Sequence, residues 1–199
     1  MIKIEGINEA KPYRIFIDRY NDALSKNQSS INAIAISSLN KKNMIVTSRF
    51  VNLKYIINDE WIFFSNYNSP KSQDFFQHNQ ISALIYWEKI DFQVRIQATI
   101  NKSSSLISDK HFKNRSKEKN ALAISSKQSN RIDSFKDIVN QFNTTLSDNE
   151  LLSNRPKYWG GFSFYPYYFE FWEGHESRIN KREVYEKSDD SWKHLILQP

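Results

Sequence analysis

Two blocks of strand-forming sequence, separated by a polar helical middle, limit what this chain can fold into. The first block holds INAIAISSL (31–39), NMIVTSRFVNLKYI (43–56), EWIFFSN (60–66), ISALIYW (81–87) and DFQVRIQATI (91–100). Val, Ile, Phe, Tyr and Trp dominate each run, and polar clusters divide them. The second block holds YWGGFSFYP (158–166), YYFEFWEG (167–174), a run around REVYEK, and WKHLIL (192–197). LNKKN (39–43) and INDE (57–60) read as hairpin loops. Many short strands at close spacing predict an antiparallel β-barrel with peripheral helices.

The helices are fewer. Residues 10–26 place Tyr13, Phe16, Ile17, Tyr20, Ala23 and Leu24 on one face, with Pro12 in the first turn. SPKSQDFFQHN (69–79) predicts a short helix with Ser69 as cap, Pro70 in its first turn, and Phe75 and Phe76 inward. Residues 105–115 and 134–146 also read as helical, and a Lys/Ser/Asn-rich stretch lies between them. With no internal repeat and no clear linker, 1–199 reads as one domain, of which 1–30 is an N-terminal helical segment.

Hydrophobic residues make up 39% and charged residues 25%, a globular balance. There is no cysteine, which excludes disulfides, thiolate metal sites and a thiol nucleophile. MIKIEGINEAK lacks a signal-peptide core, and no apolar run reaches the roughly 18 residues of a membrane span, so a cytoplasmic protein without membrane contact is expected. The net charge of +6 comes from basic residues scattered singly or in pairs after apolar runs. That pattern favours a small anion gripped at several points over a nucleic acid. Only four glycines occur, and neither a G-x-G-x-x-G nor a phosphate-binding G-x-x-x-x-G-K-[ST] loop is present. A bound phosphate must therefore meet cationic and hydroxyl side chains.

FEFWEGHESRINKR (169–182) sets three aromatics within four positions beside a cluster of arginine and lysine. Together with SRFVNLK, FFSN, SPKS, FQVRI and KQS, in that order, it makes the chain resemble the pyridoxamine 5′-phosphate oxidases, from about Ile31 to Pro199. The resemblance implies an FMN-binding split β-barrel and a homodimer with FMN at the subunit interface, 159–199 supplying dimerisation and substrate strands. It implies oxidation of pyridoxamine or pyridoxine 5′-phosphate to pyridoxal 5′-phosphate by O2, giving hydrogen peroxide.

Carried over by position, Arg49 would hold the FMN phosphate, Phe50, Val51, Asn52 and Leu53 would line the flavin, and Lys54 would reach the substrate phosphate. Arg49 and Lys54 are an odd number of residues apart, so a regular strand would aim them oppositely, and a bulge or twist is needed. Phe64, Ser65, Lys71, Gln93, Gln128, Ser129, Trp172 and Arg182 complete the implied FMN set. His111, Arg115 and Lys119 fall at substrate-phosphate positions, and Arg178 and Asn180 at positions over the substrate. The chain departs from the family pattern in several places: Phe64 stands for a tyrosine, Pro70 for an arginine, His111 for a tyrosine, Lys119 for a serine and Asn180 for a histidine. These departures leave open a same-family FMN oxidase with another substrate, such as a phenazine precursor, or a non-catalytic flavin- or B6-phosphate-binding protein. Trp159, Phe169 and Phe171 read as core, Gly160-Gly161 as a tight strand entry or bulge, and Lys113, Lys117 and Lys127 as solvated.

Overall fold

The computed structural model describes residues 1–199. Ten strands form one sheet: β1 (Lys3–Ile7), β2 (Ala33–Asn40), β3 (Ile45–Asn52), β4 (Tyr55–Asn58), β5 (Glu60–Asn66), β6 (Gln80–Trp87), β7 (Phe92–Lys102), β8 (Trp159–Glu173), β9 (Lys181–Ser188) and β10 (Ser191–Leu197). Six helices surround it: α1 (Lys11–Ser25), α2 (Pro70–Gln77), α3 (Ser105–Lys113), α4 (Lys117–Ser125), α5 (Phe135–Leu146) and α6 (Asn149–Ser153). The strand order is β1-β4-β5-β8-β7-β6-β2-β3, with β9 and β10 branching from β8. The ends of this path do not pair with each other, so the barrel is split rather than closed.

Three features differ from the sequence reading. The run 43–56 is two strands, because the ladder stops at Leu53 and Lys54. β3 pairs with β2, whereas β4 pairs with β5 and, in parallel, with β1. The two C-terminal runs from 158 to 174 are instead one 15-residue strand, with a register shift opposite Gln97 and Ala98 that absorbs the irregularity near Pro166. β1 and the short helices α4 and α6 carry too little apolar pattern to be read from sequence. Along α4 the chain is KEKNALAIS, and only Asn120 and Ala121 are buried.

The core follows from period-two alternation. In β6, Ile81, Ala83, Ile85 and Trp87 face inward; in β7, Phe92, Val94, Ile96, Ala98 and Ile100 do. α1 lays Tyr13, Phe16, Tyr20 and Ala23 on this core. The Phe16 ring centroid lies 4.4 Å from that of Trp61 and 5.5 Å from that of Trp87. Leu24, expected on the same face, is exposed at the helix end. In α2, Phe75 is buried as expected, but Phe76 is exposed, because consecutive residues on a helix point about 100° apart.

Gly160 and Gly161 sit inside β8, paired with Ser65 and Phe64. Their role is close approach, not a bulge. A Cβ on Gly160 would lie 2.1 Å from the Tyr67 hydroxyl oxygen, and one on Gly161 would lie 2.5 Å from Ser103 Oγ. Tyr67 in turn donates to the Gly161 carbonyl at 3.1 Å. Gly160→Ala is expected to destabilise the fold by about 1–3 kcal/mol, the usual range for overpacking, seen as a lower urea midpoint at unchanged slope. A midpoint equal to the parent's would remove the close-approach account.

Candidate functional site

A cavity of about 780 Å³ opens where β3, the β3–β4 break, β5, α2, α3 and the segment after α4 converge. Arg49, Lys54, Lys71, Arg115 and Lys119 line it, and no aspartate or glutamate does. The break at Leu53 and Lys54 solves the spacing problem noted for Arg49 and Lys54. Leu53 turns fully into the core while Lys54 reaches the cavity, as Arg49 does from the strand before. No bulge within β3 is needed. Leu53 is therefore absent from the cavity wall, whereas Phe50, Val51 and Asn52 are on it.

The cations fall into two groups. In the first, Lys71 is buried, and its ammonium donates to Ser69 Oγ at 3.1 Å and to Gln128 Oε1 at 3.3 Å. The same Gln128 oxygen lies 3.3 Å from Ser65 Oγ and 3.4 Å from the Asn66 amide. Ser129, beside it, has a left-handed backbone with φ of 69°. Burial, reinforced by the nearby Arg49 charge, lowers the Lys71 pKa to about 8. Burial also lowers that of Arg49.

The second group surrounds His111. Its ring stacks on Phe64 with centroids 3.7 Å apart and 8° between planes. Its Nδ1 is 2.9 Å from the Tyr55 hydroxyl. Phe64 stacks in turn near Trp159, and the Arg115 guanidinium lies 4.3 Å from the Trp159 ring centroid. Burial first, then Arg115, Lys54 and Lys119, push the His111 pKa down to about 4. Arg115 is lowered to about 10 by burial. Lys54 is lowered by burial and by Lys119 and Arg115. No carboxylate offsets either group at the cavity wall, so the cavity is built to receive negative charge from outside the chain.

Besides Leu53, five expected residues lie elsewhere. Gln93 pairs with Trp172 across β7 and β8, and Trp172 with Arg182 across β8 and β9, so these three form one row on the side of the sheet opposite the core. Arg182 is already engaged: its guanidinium meets Glu170 at 2.8 Å and the Gln198 carbonyl at 3.0 Å. Arg178 and Asn180 belong to the exposed turn between β8 and β9, where Asn180 Oδ1 accepts from the His175 amide at 3.1 Å. Trp159 lines the cavity near the start of β8; Trp172 lies thirteen residues further along the same strand, about 40 Å of extended path.

Sequence reasoning assigned Trp159 to the core alone. It is buried, yet one side forms cavity wall. Asn114, Ser116 and Pro70 also line the cavity. Tyr55, which fixes His111, carried no sequence signal beyond strand propensity.

Residues 159–199 match a family model described as the pyridoxine 5′-phosphate oxidase C-terminal dimerisation region. The chain is 31% identical to a pyridoxine/pyridoxamine 5′-phosphate oxidase of Leptospira biflexa, over 94% of this chain and 89% of that protein. A protein of the same description from Christiangramia forsetii is 35% identical, over 94% and 88% respectively. Among solved structures, PhzG from Burkholderia lata 383, in complex with tetrahydrophenazine-1-carboxylic acid, superposes with a TM-score of 0.88 at 22% identity, covering 96% of this chain and 93% of that one. A pyridoxamine 5′-phosphate oxidase-related, FMN-binding protein from Nostoc punctiforme superposes with a TM-score of 0.78 at 14% identity, over 96% and 100%. These two likenesses establish the PNPOx-like split-barrel fold.

Lys71 gives the cavity a measurable pH dependence. Above about pH 8 the folded chain releases a proton that the unfolded chain keeps until near 10.5. This group's burial penalty is thus removed as pH rises through that window, and it makes the ligand-free protein more stable there. An anion in the cavity reverses the preference, because it needs the charged form. Thermal protection by inorganic phosphate is expected to be larger at pH 7.5 than at pH 9.5, and Lys71→Met is expected to flatten the difference. Equal pH dependence in parent and variant would show that Lys71 is not the group responsible.

Proposed function

The chain belongs to the pyridoxine/pyridoxamine 5′-phosphate oxidase family, and we propose that it binds FMN and oxidises pyridoxine or pyridoxamine 5′-phosphate to pyridoxal 5′-phosphate. The observation that carries this reading is the division of five cations into two groups within one cavity whose wall holds no carboxylate. Two phosphates of two ligands that lie against each other would need such an arrangement. Arg49 and Lys71, with Ser65, Gln128 and Ser129, would hold the FMN phosphate and ribityl chain by charge-assisted hydrogen bonds. Lys54, Arg115 and Lys119 would hold the substrate phosphate, with His111 as a neutral partner. When bound, FMN supplies the two-electron acceptor at which the C4′ hydride is taken up and from which O2 is reduced to hydrogen peroxide.

The protein's share is position and charge. Phe64 and Trp159 form an apolar wall that excludes water beside the substrate group. His111, with a pKa of about 4, is too weak a base to take a proton from substrate at neutral pH. Its role is to donate or accept a hydrogen bond.

The row Gln93, Trp172 and Arg182 lies at the far end of β8 from Trp159 and is not part of the cavity wall of its own chain. A second copy would bring that row, and the turn bearing Arg178 and Asn180, to the flavin. The dimerisation-region match over 159–199 supports a homodimer with FMN at the interface. So do the outward-facing Phe50, Leu84 and Tyr86, which are exposed on the face that carries the row. No helix of the structure is long and apolar enough to cross a membrane.

Lys119 and His111 favour a second reading, in which a related oxidase accepts a differently shaped anion, because the extra cation alters the charge of the subsite.

The deciding experiment is anaerobic. FMN-loaded protein mixed with pyridoxine 5′-phosphate should lose its visible flavin absorbance, and air should restore it with pyridoxal 5′-phosphate as product. Flavin that stays oxidised with both pyridoxine and pyridoxamine 5′-phosphates would overturn the substrate and leave the second reading. Arg49→Ala should weaken FMN binding by roughly 10- to 100-fold, the loss expected for a hydrogen-bonded charge on phosphate. Arg178→Ala should leave FMN affinity within about twofold of the parent while lowering turnover. By the family resemblance Arg178 would cover the substrate rather than hold the FMN phosphate, so its loss would fall on turnover.

A further inference from the structure

We propose that Asp74 is a positioning residue for the anion site: through Ser38 it sets the guanidinium of Arg49 without neutralising it. The proposal rests on the reading that Arg49 meets the FMN phosphate.

Asp74 is only 3% exposed, on α2. A carboxylate that deep needs compensation. It receives Ser38 Oγ on Oδ2 at 2.8 Å and Asn40 Nδ2 on Oδ1 at 2.9 Å, both from β2. It makes no ion pair. Ser38 is equally deep, and its oxygen is also 2.8 Å from Arg49 Nη1. A serine hydroxyl has one proton and two acceptor lone pairs. Arg49 can only donate, and an ionised Asp74 can only accept, so the direction of the relay is fixed: Arg49 to Ser38, and Ser38 to Asp74. The Ile36 carbonyl takes a second bond from the same Nη1 at 3.2 Å, and Thr47 Oγ1 accepts from Nη2.

The contrast with Arg182 defines the function. There Glu170, also buried, contacts the guanidinium directly through two nitrogens, so charge meets charge. At Arg49 a hydroxyl stands between the charges. The carboxylate polarises the hydroxyl and favours the charged guanidinium, while the arginine is not locked in a direct ion pair. α2 thus serves the anion site twice: Lys71 enters the cavity directly, and Asp74, one turn later on the helix, acts at a distance.

The test compares two flavins that share a ring and differ in the phosphate. Dissociation constants for FMN and riboflavin are measured by flavin fluorescence quenching for the parent, Asp74→Asn, Ser38→Ala and Arg49→Ala, and for Asp74→Asn combined with Arg49→Ala. Asp74→Asn is expected to cut the preference for FMN over riboflavin by roughly three- to tenfold, the scale of one hydrogen bond. Ser38→Ala, which breaks the relay in its middle and keeps the carboxylate, should do the same. In the Arg49→Ala background, Asp74→Asn should change nothing further. If affinity for both flavins falls together, Asp74 is a structural tie between α2 and β2, and the inference fails. It also fails alone if the parent prefers FMN and both relay variants keep that preference. A parent that binds FMN and riboflavin alike overturns the phosphate reading of Arg49 and this inference with it.

Discussion

Mutual repulsion among like charges governs the architecture around the cavity. Arg49, Lys54, Lys71, Arg115 and Lys119 would separate if they stood on flexible chain, because each gains by moving into water. They are held by elements whose own stability comes from elsewhere. Arg49 stands on a strand paired along its length with β2, and Lys71 on a helix anchored by Phe75. Arg115 is pinned by Trp159 and by Asn120, whose Oδ1 accepts from its Nη1 at 3.3 Å. Around Lys71 the hydrogen-bond acceptors are a neutral hydroxyl and a neutral amide, which hold the ammonium without cancelling its charge. Proton affinities are pushed down by burial first and by neighbouring cations second at Lys54, Lys71 and His111, and by burial alone at Arg115.

The aromatic core makes this arrangement sustainable. Phe16, Trp61, Phe63, Trp87, Phe162, Phe164 and Phe169 are almost wholly removed from water. Together they contribute on the order of 10 kcal/mol of hydrophobic driving force, at about 1.5–3 kcal/mol for each large side chain. That stabilisation lies inside the barrel, away from the cavity. Arg49 stands within the β3 ladder, and the other cations lie off it: Lys54 at the β3–β4 break, Lys71 at the start of α2, and Arg115 and Lys119 around the α3–α4 junction. An element interrupted there frees backbone and side chains to face a ligand, while paired strands on both sides fix the geometry.

Much of the fold was legible because strand alternation is written into residues such as Ile81, Ala83, Ile85 and Trp87, whose positions leave no other register. The break at Leu53 was not, because SRFVNLKYI holds no glycine or proline to mark it and only the change of sheet partner interrupts it. Arg49 and Lys71 entered as phosphate ligands only through the family resemblance; from its position alone Arg49 would pass for an ordinary solvent-facing strand residue. Asp74 carried no signal at all: in SPKSQDFFQ it looks like any helix-surface carboxylate, and only tertiary packing buries it. The separation of Trp172 from the cavity was likewise invisible while the two C-terminal runs were taken as two strands. Joined into one, they set a distance that no loop can shorten.

That single strand has a genetic consequence. One end of β8 carries Trp159 and the other Trp172, so in a two-fold dimer each chain would furnish one end to its own cavity and the other end to its neighbour's. Damage at Arg49 and damage at Trp172 would then reside in different halves of each composite site. Two inactive chains, one altered at each position, would form mixed dimers in which one cavity inherits both lesions and the other inherits none. Half of the sites in such a mixed dimer would be intact, so two alleles that fail separately would complement each other in one cell.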